Sequence, residues 1–114
     1  MKNTFNYKIY QNVYDAMISG KKNIEVRLLN EKSERIQKGD EIIFSVLDSN
    51  KTLIVEVTNK YIYDSVDDLW QNKDVVLSSS INYTKYEFIN TLNEIFGEEK
   101  VNNSKLVGLE FIIK

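Results

Sequence analysis

A backbone that reverses direction needs residues able to turn, and this chain has few: no proline, and only Gly20, Gly39, Gly97 and Gly108 among 114 residues. Elements must end at those glycines or at short runs of Asn, Asp and Ser. Three of the four fall where the apolar pattern changes period. Ahead of Gly20, the spacing of Tyr10, Val13, Tyr14, Met17 and Ile18 predicts a helix that the glycine closes in the left-handed conformation. Ahead of Gly97, Phe88, Ile89, Leu92, Ile95 and Phe96 predict a longer helix. Thr84 and Glu87 open it as a capping box, with Tyr83 and Phe88 at the staple positions. Gly39 stands in Lys38-Gly39-Asp40, a turn.

Between these marks the pattern is that of strands. Phe5, Tyr7 and Ile9 alternate with polar residues. From Asn23 to Leu29, Ile24, Val26 and Leu28 share one face and Glu25, Arg27 and Leu29 the other. Asn30 to Gln37 reads as a polar connection. Glu41 to Leu47 reads as a strand that returns through Asp48-Ser49-Asn50-Lys51 into a partner carrying Leu53, Val55 and Val57, which ends at Tyr61 or Tyr63. Ser65, followed by Asp68, opens a short helix through Trp70. Leu106 to Ile113 is a closing strand, apolar enough to be covered on both faces, in which Gly108 admits a bulge or a close neighbour. The resulting order is β-α-β-β-β-α-α-β. Mostly consecutive strands with helices inserted at two places predict an α+β fold: a curled mixed sheet or small β-barrel with helices packed outside.

The length allows one domain over residues 1–114, and 42% apolar with 28% charged residues is the composition of an ordinary globular chain. With no cysteine and no histidine, disulfides, thiol nucleophiles, zinc-thiolate sites and imidazole bases are excluded. Chemistry falls to Lys, Arg, Asp, Glu, Ser, Thr or Tyr, and neither a metal nor a cofactor is expected. Met1 to Tyr10 lacks an apolar run of signal-peptide type, and no stretch approaches the ~20 apolar residues of a membrane span. The expectation is a cytoplasmic protein without a membrane partner.

A net charge of −2 argues against a nonspecific nucleic-acid surface. The charge is unevenly distributed, however. Lys21, Lys22, Arg27, Lys32, Arg35 and Lys38 face only Glu25, Glu31 and Glu34 between Gly20 and Gly39, a local +3, which leaves −5 for the remainder. In Gly20-Lys21-Lys22-Asn23-Ile24-Glu25-Val26-Arg27, same-face strand neighbours lie about 6.5–7 Å apart. Glu25 and Arg27 are therefore placed to share a ligand or to pair, and Lys22 reaches in from the turn. Such a set suits a guest carrying both donors and acceptors, for example a nucleobase edge with its phosphate. The bland alternative is a set of solvated charges guarding a strand edge.

Gly20-x-Lys22-x-x-Glu25-x-Arg27, followed by Ile36-x-Lys38-Gly39-Asp40-x-Ile42-x-Phe44, resembles the signature of the ASCH domain, a PUA-like β-barrel family of small bacterial and archaeal proteins. The resemblance extends over essentially the whole chain, including the helix ending at Gly97 and the strand with Val107-Gly108-Leu109-Glu110-Phe111. It implies a cleft between sheet and helices holding Lys22, Glu25 and Arg27, and binding of RNA or a modified nucleoside. One branch of the family hydrolyses N4-acetylcytidine with a lysine, a threonine and a glutamate, and ribonuclease activity is attributed to another member. Lys22 matches that lysine. Glu25 stands where the threonine belongs, and Asp74, the acid nearest the loop of the glutamate, has no matching motif around it.

The ligand-binding candidates are therefore Lys21, Lys22, Glu25 and Arg27, with RNA, a nucleoside or a nucleotide as the partner. Lys22 and Glu25 are also the catalytic candidates if the protein is a hydrolase. A nucleophilic lysine must be neutral, which cationic neighbours favour and Glu25 opposes; alternatively Glu25 is a base and Lys22 stabilises an oxyanion. Tyr61, Tyr63, Trp70 and Tyr86 are candidates to stack on a base or, as for most such residues, to cover the core. A third reading is a protein-interaction module that offers Asp74-Val75-Val76-Leu77 or the closing strand as an edge. Asp64, Asp67 and Asp68 lack the pattern of a calcium loop, and Ser78-Ser79-Ser80 reads as a loop.

Overall fold

The computed structural model describes residues 2–79 and 84–114. The chain runs β1 (Thr4–Ile9), α1 (Gln11–Ile18), β2 (Ile24–Leu28), α2 (Glu31–Arg35), β3 (Glu41–Val46), β4 (Thr52–Tyr63), α3 (Val66–Trp70), α4 (Lys73–Ser78), α5 (Lys85–Phe96), α6 (Glu98–Asn102) and β5 (Leu106–Ile113). The strands form one mixed sheet in the order β1-β3-β4-β5-β2, with β1 parallel to β3 and the other neighbours antiparallel. Although β1 and β2 lie at opposite ends of that order, an Arg27 Nη2 hydrogen on β2 reaches the Lys8 carbonyl of β1 at 3.0 Å. The sheet is thus rolled until its edges nearly meet, a half-barrel whose seam is bridged by side chains and not by a backbone ladder.

The expected α+β class and five-strand order hold, with three further short helices. Asn30 to Gln37, read as a connection, contains α2: Asn30 Oδ1 accepts from the Ser33 N–H at 2.9 Å, and Ser33 Oγ accepts from the Asn30 N–H at 2.9 Å. The Lys60 ammonium satisfies the far end of α2 by donating to the Glu34 and Ile36 carbonyls. Asp74 to Leu77 is helical, capped by Asn72 Oδ1 accepting from the Val75 N–H, so it offers no strand edge. The closing strand offers none either, because β5 is flanked by β4 and β2. The third addition is α6, directly after Gly97.

Gly20 has φ +83°, and the Lys22 N–H returns to the Ala16 carbonyl at 3.0 Å, which closes α1 as expected. The Thr84–Glu87 capping box is present; Tyr83, its staple partner, lies outside the described residues. The turn at Gly39 is fixed by the buried Asp40 carboxylate, which accepts the backbone N–H groups of Asn3 and Gln37. Gly108 has close neighbours but no bulge: the irregularity falls in β4, between Val57 and Asn59.

Among the described residues, two apolar clusters fill the interior. One lies within the rolled sheet beneath α1, around Met17, Ile36, Phe44 and Val55. The other joins the ends of β2 and β4 to the helices through Ile24, Leu69, Phe88 and Leu106. Lys2 and Lys114 both pair with the Glu41 carboxylate. Among the described residues, no helix is long and apolar enough to cross a membrane.

Candidate functional site

The turn after Gly20 delivers Lys22 into the protein, and period-two geometry sets Glu25 and Arg27 on one face of β2. The three tips meet. Glu25 Oε1 lies 3.0 Å from Lys22 Nζ, and Oε2 accepts from Arg27 Nε at 2.9 Å and lies 2.8 Å from Nη2. Lys22 and Glu25 are 7% and 6% exposed, so these ion pairs sit in the interior. Lys21 takes no part in them and is exposed.

Lys22 is fully engaged. Besides Glu25, its ammonium donates to the Ile24 carbonyl at 2.7 Å and to the Ser79 carbonyl at 3.0 Å. The Asn23 N–H donates to the Ser78 carbonyl at 2.8 Å. The turn thereby satisfies the C-terminal carbonyls of α4, where a cation is also favoured by the helix dipole. Of the serine run read as a loop, Ser78 ends α4 and Ser79 is buried behind it, while Ser80 lies outside the described residues.

Burial by itself would push the Glu25 carboxyl up; Lys22 and then Arg27 outweigh it and hold it below the ordinary carboxylate value. Arg27 gives its Nε and Nη2 hydrogens to Glu25 and the Lys8 carbonyl and lies over the Tyr7 ring, 4.3 Å from its centroid. Lys32 approaches the same ring at 4.1 Å and donates to the Asn6 carbonyl, a second bridge across the seam. Burial lowers the affinity of Lys32 for its proton, and Arg27 adds to the effect. The Nη1 amino group of Arg27 has no protein partner among the described residues.

Glu25 and Arg27 line a cleft of about 240 Å³ along the seam. Its walls are Lys8, Ile9 and Tyr10 on one side, Val26 behind, and Leu92, Ile95 and Phe96 of α5 on the other, with Val13 and Leu47 completing it. Lys22 lies behind Glu25 and is not part of the wall. None of the four aromatic candidates faces this space. Tyr63 is buried, Tyr61 donates to Glu110, Trp70 packs on Phe88, and Tyr86 is exposed elsewhere on α5. Among the described residues, the aromatic ones at the cleft are Phe96 and Tyr10, the latter 59% exposed. Tyr10 occupies the N-cap of α1 and makes no capping bond, at a position where Ser, Thr, Asp or Asn is preferred. That mismatch was the available signal.

The acidic residues noted in the sequence each have separate partners: Asp64 faces Lys105, Asp67 pairs with Lys85, and Asp68 accepts the Asp64 N–H. Among the described residues, no group of three or more acidic side chains is placed to hold a metal ion. Asp74 lines a separate open hollow with Tyr63 and Asn72.

No protein-family model matches the chain, and no curated protein matches it by sequence. Solved structures do match. The hypothetical protein PH0355 superposes with a TM-score of 0.82 at 24% identity, over 97% of this chain and 99% of its own. Protein PF0455 from Pyrococcus furiosus gives 0.72 at 24% identity, over 99% and 97%. An ASCH domain from Lactobacillus crispatus gives 0.68 at 15% identity, over 97% of this chain and 79% of that one. The superposition, over nearly the whole chain, shows that this chain has an ASCH-type fold.

Proposed function

We propose that the protein binds an unpaired base of RNA, or a free nucleoside or nucleotide, in the cleft between the β1–β2 seam and α5. The observation that carries this reading is the pairing, across one small cleft, of an arginine with an uncommitted amino group and an exposed tyrosine. Arg27 Nη1 would take a carbonyl or phosphate oxygen, and Tyr10 would stack on the base with Phe96 and Ile95 opposite. The volume supports a small guest: about 240 Å³ lies below the ~300–1,000 Å³ of sites for drug-sized molecules. Lys8 adds a cation at the rim for a backbone phosphate, and Lys21 lies nearby along the chain.

Binding without turnover is the better-supported version. A hydrolase built on Lys22 and Glu25 would need a neutral amine or a carboxylate free to take a proton. Lys22 donates to three acceptors, and Glu25 is held ionised by two cations. In this reading Glu25 acts through Arg27, whose guanidinium plane it fixes.

Calorimetric titration with the four ribonucleosides, their 5′-monophosphates and short single-stranded RNAs tests the proposal. At least one should bind wild-type protein. Tyr10→Ala, at an exposed position, should weaken binding about 5- to 100-fold without unfolding the protein. Absence of binding by any of these ligands, or equal binding by wild type, Tyr10→Ala and Arg27→Ala, would refute it.

A further inference from the structure

The backbone of β2 adds a recognition element that no side-chain motif announces. In the β2–β5 pair, the Phe111 N–H bonds the Asn23 carbonyl and the Leu29 N–H bonds the Lys105 carbonyl. With the register Ile24↔Glu110 through Leu28↔Leu106, alternation of an antiparallel ladder turns the peptide groups of Asn23, Glu25, Arg27 and Leu29 toward β5. Those of Ile24, Val26 and Leu28 point the other way, to the open edge of the sheet. Two of the three carbonyls there are already claimed, Ile24 by Lys22 Nζ at 2.7 Å and Leu28 by Ser33 Oγ at 3.3 Å. The N–H and C=O of Val26 have no partner among the described residues, and Val26 lines the cleft.

We infer that the Val26 peptide reads the guest, pairing its N–H and C=O with the adjacent acceptor and donor on the Watson–Crick edge of one unpaired base. This rests on the reading of the cleft as a nucleoside site and names how that site recognises a base. In an extended residue, N–H and C=O lie side by side, about 3 Å apart by covalent geometry, and point the same way. A base edge presents the complementary pair: N3–H and a carbonyl in uracil, an exocyclic amine and N3 in cytosine. With the Ile24 and Leu28 carbonyls claimed by Lys22 and Ser33 on either side, Val26 is the one residue of this β2 edge that, among the described residues, keeps both its N–H and its C=O free. On the facing edge, the Asn6 and Lys8 carbonyls are taken by Lys32 and Arg27. An added peptide strand needs several free peptides in alternation; a single base needs one. A base already paired in a duplex has its edge occupied, so the site selects unpaired bases.

Backbone amide NMR on the intact protein tests this, with uridine, cytidine and 3-methyluridine as probes. In the free protein the Val26 amide should exchange with solvent faster than those of Glu25 and Arg27. Saturating uridine or cytidine should shift the Val26 amide and slow its exchange at least 10-fold, and 3-methyluridine, which lacks the N3–H, should bind at least 10-fold more weakly than uridine. Replacing the Val26 N–H by an ester oxygen, which retains the side chain, should reproduce the loss. A Val26 amide already protected in the free protein, or one that stays unchanged while Arg27 and Tyr10 resonances move, would overturn the inference and leave the nucleoside site standing. If no cleft resonance responds to either nucleoside, both fall. Protection of Val26 by an extended peptide and not by nucleosides would replace the base with a strand and likewise overturn it.

Discussion

The buried Lys22 amino group has an acceptor for every one of its N–H bonds: a carboxylate and two carbonyls from different elements. Removing it would leave Glu25 buried with Arg27 alone and orphan the Ser79 carbonyl. Lys22→Met should therefore lower unfolding free energy by about 3–5 kcal/mol, the cost of breaking a buried pair from one side, read as a lower urea midpoint. Glu25 contributes to the acid limb of stability. Its folded pKa lies below its unfolded value of about 4.5, so its contribution is complete above that value and is lost as pH falls toward the folded one. Glu25→Gln should be less stable at neutral pH and show a flatter decline in that acid window, measurable by thermal melts from pH 6 to 3. The Lys22, Glu25 and Arg27 cluster was legible in the sequence because turn chemistry and period-two spacing fix where those side chains point. The Val26 peptide was not, since its freedom follows from which strand pairs with β2.

At the scale of elements, the two longest helices carry their own local signals. Thr84 and Glu87 announce α5 through a reciprocal cap, and Gly20 closes α1 because a left-handed residue is needed there. The short helices escaped for physical reasons. Ser33 stands at the capping-box position of α2 where Glu or Gln is the usual sign, so a reciprocal cap was present without its usual letters. Val75, Val76 and Ser78 are weak helix formers, and α4 gains its order from the Asn72 cap and from Asn23 and Lys22 docking on the carbonyls at its end. Such docking is invisible in any window of neighbouring residues. Gly108 illustrates the reverse case, a conspicuous residue with a modest role. A β-carbon there would lie 3.5 Å from Ile24 Cγ2 and 3.6 Å from Tyr63 Cε2, ordinary contact distances. Gly108→Ala should fold normally, with stability within about 1 kcal/mol of wild type, as denaturant unfolding would show.

For the whole molecule, the balance of charge limits what binding can look like. A net −2 with a +3 confined to residues 20–39 gives little long-range attraction, and among the described residues only Arg27 and Lys8 line the cleft as cations. Affinity for a short RNA should fall with salt along a shallow slope, about −1 to −2 in log–log form, since each neutralised phosphate contributes roughly −0.7 for single strands. A slope near zero is expected for a nucleoside, and titrations between 50 and 300 mM salt compare the two. The fold class and the succession of five strands along the chain followed from patterning, whereas the order of the strands in the sheet and the rolled seam did not: the seam depends on Arg27 and Lys32 crossing to β1, a long-range contact. The pairing of Lys2 and Lys114 on Glu41 has a practical corollary. Because Lys2 and Lys114 converge on one carboxylate, a short Gly/Ser bridge can join those two positions. The chain can then be reopened at the exposed Asp48–Lys51 hairpin, yielding a circular permutant in which β3 and β4 no longer follow one another through that turn.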